Sequence, residues 1–130
     1  MRERVLRGLL STFITHTDMA DMIFPLYPDA AADVRADAGA VSVTNYFTEV
    51  TTTGAAAITL ADGEKVGQMK KIILQTDGGD ATLTPANFVD GTTATFADVG
   101  DYVILMYTEL GWRAIESGND ADGVTGPAIS

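Results

Sequence analysis

Cysteine is missing from this chain of 130 residues, which excludes disulfides and thiolate metal sites and leaves the redox compartment unreadable. Histidine occurs once, at His16. A catalytic triad needs its base beside the nucleophile, and a histidine-based zinc site needs two or more imidazoles, so neither is expected. Lysine is confined to Lys65, Lys70 and Lys71 while threonine is abundant. That balance favours strands and polar turns over surface helices, which usually carry Glu/Lys pairs. No apolar run approaches the ~18 residues that cross a bilayer. The start Met1-Arg-Glu-Arg is basic, but Arg7 interrupts the apolar stretch after two residues and no small-residue cleavage site follows. A soluble protein is expected, made and used in a reducing cytoplasm or released by lysis. GxSxG, P-loop and GxGxxG patterns are also lacking, so nothing supports nucleophile-elbow or phosphate-cradling chemistry.

What is present is one domain's worth of chain, 46% apolar and 20% charged, which is globular rather than disordered. The formal net charge is −10 and the pI about 4.2. So acidic a body repels phosphate backbones, and nucleic acid is not an expected partner. Arg2, Arg4 and Arg7 against Glu3 leave the first seven residues at +2 and the remainder at −12. The two ends of the chain have opposite electrostatic characters.

Three zones differ in composition. Residues 1–40 read as an N-terminal docking arm and linker. Val5, Leu6, Leu9, Leu10 and Phe13 recur at helical spacing, in a stretch short enough to need a partner surface. Ile23-Phe-Pro-Leu-Tyr-Pro28 follows, where two prolines force an extended path, and Asp29 to Ala40 is Ala- and Asp-rich. The alternative is a segment packed on its own β domain. If the arm docks, Val5, Leu9, Leu10 and Phe13, together with Ile23, Phe24, Leu26 and Tyr27, are the partner-binding candidates.

Residues 41–116 read as about seven short strands. Val41, Val43 and Phe47 alternate with Ser42, Thr44 and Thr48, which predicts one buried and one wet face. Ala57-Ile-Thr-Leu60 alternates too, Ala94 and Phe96 are expected inward, and Asp77-Gly-Gly-Asp80 is the clearest turn. Ile72-Ile73-Leu74 and the run Tyr102 to Tyr107 are apolar enough for central strands. Without crossover helices the expectation is a small antiparallel β-sandwich or barrel that hides its edges by closure or by pairing with other subunits. Residues 117–130 read as a flexible tail.

Candidate chemistry is thin. Glu49, Glu64, Glu109 and Glu116 are the available acids for a glycosidase-type pair, but each falls at a turn or strand end, where solvated charge explains it. Asn119-Asp-Ala-Asp-Gly123 resembles the middle of an EF-hand loop, but Gly118 and Ile129 occupy the two strongest ligand positions. The Asp77/Asp80 and Asp62/Glu64 turns are simply good hairpin sequences. Trp112 is either a sugar-stacking platform or an inter-sheet plug, and its alternation with Ala114 favours the plug. The chain is expected to have no catalytic residues, no cofactor, no metal and no small-molecule substrate.

The stretch Ala57-Ile-Thr-Leu-Ala-Asp-Gly-Glu-Lys-Val-Gly-Gln-Met-Lys-Lys-Ile-Ile-Leu74, with Asp101-Tyr-Val-Ile-Leu105 and Trp112-Arg-Ala-Ile115, resembles β modules of tailed-phage virion proteins. These include capsid decoration (cement) proteins and the heads of tail or head fibres. The shared pattern is a T-L-x-D-G turn, a G-Q-x-K strand and a strand pair ending in Trp, covering 55–116. The resemblance implies a structural protein, commonly a homotrimer, that sits on the capsid surface of a virion assembled in the host cytoplasm. Its partners would be the major capsid protein and copies of itself. A fibre or adaptor component and a carbohydrate- or receptor-binding module are the other expectations.

Overall fold

A computed structural model describes residues 33–123 and 125–130. These form ten strands and, among the described residues, no helix. The strands are β1 (Asp33–Ala36), β2 (Gly39–Ala40), β3 (Phe47–Thr51), β4 (Ala56–Leu60), β5 (Met69–Thr76), β6 (Ala81–Pro85), β7 (Ala94–Phe96), β8 (Asp101–Thr108), β9 (Gly111–Asn119) and β10 (Ala128–Ile129). Sheet A has the order β1-β3-β5-β8-β9 and sheet B the order β10-β7-β6-β4-β2.

The chain reaches this arrangement by winding. Its first six strands alternate between sheets, and within each sheet they pair in parallel: β1 with β3 and β3 with β5 in sheet A, β2 with β4 and β4 with β6 in sheet B. Each strand of one sheet carries the chain back to the end where its parallel neighbour begins, as a crossover helix does in other folds. After β6 the chain folds on itself, and the β6–β7, β5–β8, β8–β9 and β7–β10 pairs are antiparallel. The all-β, two-sheet body is the one expected. Its polarity is not: both sheets are mixed, with half of the pairings parallel.

The inner faces meet in one core. Ile58 and Leu60 from β4, Ile72 and Leu74 from β5, Leu83, Phe96, Val103 and Leu105 are almost wholly removed from water, as is Trp112. The alternation expected in β4 and the inward Ala94 and Phe96 are found, and β5 is the central strand of sheet A.

Three expectations change. Residues 33–40 are not a linker, because they supply β1 and β2. The Asp37 carboxylate accepts from the Thr53 amide (2.7 Å), and the Asp33 carboxylate accepts from the Ser42 amide (3.0 Å). Side-chain bonds thus hold a segment whose Ala- and Asp-rich composition hides its strands. The expected alternation through residue 48 inverts, since Thr48 and Val50 are buried while Phe47 faces outward. A bent stretch at 43–46 resets the phase, and one residue of slip exchanges the faces. Finally, the expected flexible tail is tied down. Ser117 to Asn119 complete β9, β10 pairs with β7, and the Ser130 carbonyl accepts from the amides of Thr92 and Thr93 (2.6 and 3.0 Å).

Candidate functional site

The residues of the T-L-x-D-G, G-Q-x-K and Trp pattern, scattered over more than fifty positions, converge on one corner. Leu60 ends β4, and residues 61–68 carry the chain from sheet B to sheet A, where β5 begins. The indole Nε1 of Trp112 donates to the Ala61 carbonyl at 2.8 Å, pinning the start of this crossing. Asp62 accepts both contacts from the Asn87 amide nitrogen (2.9 and 3.1 Å). Gly63 lies against the Tyr107 ring, where an added Cβ would come within 2.5 Å of Cγ. Gly67 and Gln68 exchange backbone bonds with Tyr107, and the Gln68 side chain donates to the Val43 carbonyl at 2.6 Å. Tyr107 packs edge-on to Trp112, with centroids 5.2 Å apart. Asp62, Gly63, Gln68 and Trp112 therefore serve the architecture, with glycine for close approach, aspartate and glutamine to tie loops, and tryptophan to plug the interior.

A second constellation is polar and internal. Lys70 lies on the same face of β5 as Ile72 and Leu74 and is fully buried. Its ammonium donates to the Asn45 carbonyl (2.8 Å) and to the Thr48 hydroxyl, which in turn donates to the Asp33 carboxylate (3.0 Å). Burial pulls the Lys70 ammonium down to about 8, and the Asp33 charge opposes that pull. The relay fastens edge strand β1 to central strand β5 through β3. Beside it the Arg35 guanidinium reaches across the β1–β2 turn to the Ala36 and Ala40 carbonyls (both 3.4 Å) and covers Gly39. Inward-pointing charge on an edge strand discourages non-specific strand addition.

On the outer face of sheet A, the Lys71 ammonium lies 4.6 Å from the Tyr102 ring centroid and 3.2 Å from Asp120. The Tyr102 hydroxyl donates to Glu116 at 2.5 Å, and chiefly that bond pushes the phenol up to about 12. Sheet B is different in kind. None of its strand residues is Asp, Glu, Lys, Arg or His, although residues 33–130 hold fourteen carboxylates against five cationic side chains.

The candidate residues fall into place on this frame. Trp112 is buried with no exposed surface, so its ring cannot stack on a sugar, and that expectation falls to the plug. In the candidate cation turns, side chains hold the local backbone and neighbouring loops. Asp77 accepts from the Gly79 amide and Asp62 holds Asn87, while Asn119 Oδ1 caps the amides of Ala121 and Asp122. Of the four candidate glutamates, Glu49 lies on β3, Glu64 in the β4–β5 crossing and Glu109 in the β8–β9 turn, while Glu116 of β9 bonds Tyr102 on the outer face of sheet A. Val5, Leu9, Leu10, Phe13, Ile23, Phe24, Leu26 and Tyr27, like His16, lie outside the described residues. Sequence reasoning missed Lys70, yet the signal was present, since it shares parity with Ile72 and Leu74.

No protein-family model matches this chain, and no curated protein matches it.

Proposed function

We propose that this chain is a structural protein of a virion, a capsid decoration protein that grips the major capsid protein through its N-terminal segment and through contacts between copies of itself. The observation that carries this reading is the corner built by Ala61, Asp62, Gly63, Gln68 and Trp112. The residues behind the resemblance to phage β modules are the ones that fix how the chain crosses between sheets. They set architecture, as an assembly protein requires, and they leave the outer faces free for contact. The described carboxylates are used in the same spirit. Asp33, Asp37, Asp90 and Asp101 each accept backbone amides, which holds turns and edges in place. In this role the protein acts by surface burial at the capsid exterior and converts no substrate.

The test is addition of the full chain to expanded, undecorated capsids. Binding in hundreds of copies and a rise in capsid melting temperature are expected, and deletion of residues 1–28 should abolish attachment. A handful of copies at the tail or vertices would favour a fibre or adaptor component instead. A protein that binds no particle component would overturn the reading.

A further inference from the structure

The outer face of sheet B sets two rows of small side chains side by side. One runs Ala40, Thr59, Thr84 and the other Ala57, Thr82, Thr95, Ala128. Ala40, Ala57, Thr59, Thr84 and Ala128 are exposed. All seven side chains are short, so the face is flat. None is ionisable, and one carboxylate, that of Asp80, lines a shallow depression together with Ala57, Thr82 and Thr95. The hydroxyls of Thr48, Thr52, Thr53 and Thr108 bond within the fold. Those of Thr59, Thr82, Thr84 and Thr95 bond to no other described residue.

We propose that this face is where a second copy of the chain packs, sheet against sheet, a contact that rests on the reading above and gives it a specific surface. The charge distribution selects the occupant. Two copies, each at −10, repel, and a contact that brings carboxylates together costs more than one that does not. Sheet B is the face from which charge has been withheld, and short Ala and Thr side chains allow close approach with hydroxyls paired across the junction. The seventeen residues of its five strands, at about 4.8 Å spacing and ~3.3 Å rise, give an area on the order of 270 Å². A standard interface takes about 800 Å² per partner, so the pairing is weak for free chains. It becomes effective where copies are already held side by side, because tethering raises their effective concentration.

Sedimentation of the full chain over a concentration series is the test, at low and high salt. Weak self-association is expected, with a Kd of about 0.1–1 mM, and it should strengthen with salt because screening removes repulsion without weakening an uncharged junction. Thr84→Arg should weaken it at least tenfold. Gln75→Arg changes net charge equally on an exposed residue of sheet A, and should leave it unchanged or slightly stronger. Unchanged melting temperatures establish that both variants fold. Association that survives Thr84→Arg, or that weakens with salt, would overturn the sheet B contact while leaving the virion reading standing. A chain that does not self-associate at any concentration but still coats capsids would likewise sink this contact alone.

Discussion

Trp112 and Ala61 are 51 positions apart in the chain and 2.8 Å apart in space, joined by a bond from the indole nitrogen to a backbone carbonyl. The bond links the last hairpin of sheet A to the crossing between β4 and β5. It ties the antiparallel half of the fold to the parallel half. Trp112→Ala should therefore destabilise the protein by about 3–5 kcal/mol, through lost packing and a cavity. Trp112→Phe should cost about 1–3 kcal/mol, because it keeps most of the ring but leaves the Ala61 carbonyl unpaired. Denaturant unfolding measures both. Glycans should leave the native Trp112 emission unchanged, and a glycan-dependent shift would contradict its burial.

Lys70 gives the stability a distinct pH dependence. Its folded-state pKa of about 8 lies below the unfolded value of 10.5, so between these limits the unfolded chain holds a proton that the folded chain has released. Stability from this group therefore rises as pH increases through that window. Tyr102 works in the opposite direction, but only above its ordinary value of 10, where the unfolded phenol ionises first. Comparing wild type with Lys70→Met from pH 7 to 10 isolates the lysine. The difference in unfolding free energy should move in favour of wild type by up to about 3 kcal/mol. A difference that stays flat across that pH range would mean the ammonium is not buried as described.

Two glycines should respond in opposite directions to alanine. Gly111 has φ +127°, and a Cβ there would overlap the Asn87 carbonyl oxygen, so Gly111→Ala should destabilise by roughly 3 kcal/mol. Gly54 has open space around its Cβ position and no left-handed φ. Gly54→Ala should be neutral or stabilise by about 0.4–1 kcal/mol, by restricting the unfolded chain. Thermal melts of the two variants check the β8–β9 turn at Gly111 and the β3–β4 connection at Gly54.

Removing residues 128–130 should expose the edge of β7. The deletion takes away β10 and the bonds between Ser130 and Thr92 and Thr93, including the Thr93 hydroxyl contact at 3.2 Å. A loss of about 1–3 kcal/mol is expected, with faster amide exchange at Thr93 and a greater tendency to aggregate through the opened edge. Unchanged exchange at Thr93 would show that the C-terminal strand does not hold.

Much of the body was legible from residue order. Period-two alternation in Ala57 to Leu60 placed Ile58 and Leu60 inside, and the two-sided apolar run Ile72-Ile73-Leu74 marked a central strand. Both signals are local, because a strand's faces are set by its own pleat. The alternation of Trp112 with Ala114 favoured a plug over a platform for the same reason. What the local pattern could not carry was partner and direction. A half-buried strand has the same alternation whether its neighbour runs parallel or antiparallel, so the winding of β1 to β6 was invisible. Nor could composition reveal β1 and β2, whose Ala- and Asp-rich residues are held as strands by bonds from Asp33 and Asp37 to residues 9 to 16 positions away.

The candidate surfaces divide along the same line. The absence of charge from sheet B was written in the sequence, since every stretch that became one of its strands lacks ionisable residues. That these stretches lie side by side was settled only when the chain wound them into one sheet. The Lys70–Thr48–Asp33 relay likewise joins three strands whose order only long-range pairing could fix. Residue chemistry determined which faces are apolar, neutral or acidic, because solvation acts on each side chain where it stands. Tertiary structure alone decided which of them meet, because that depends on backbone pairing between segments far apart in the chain.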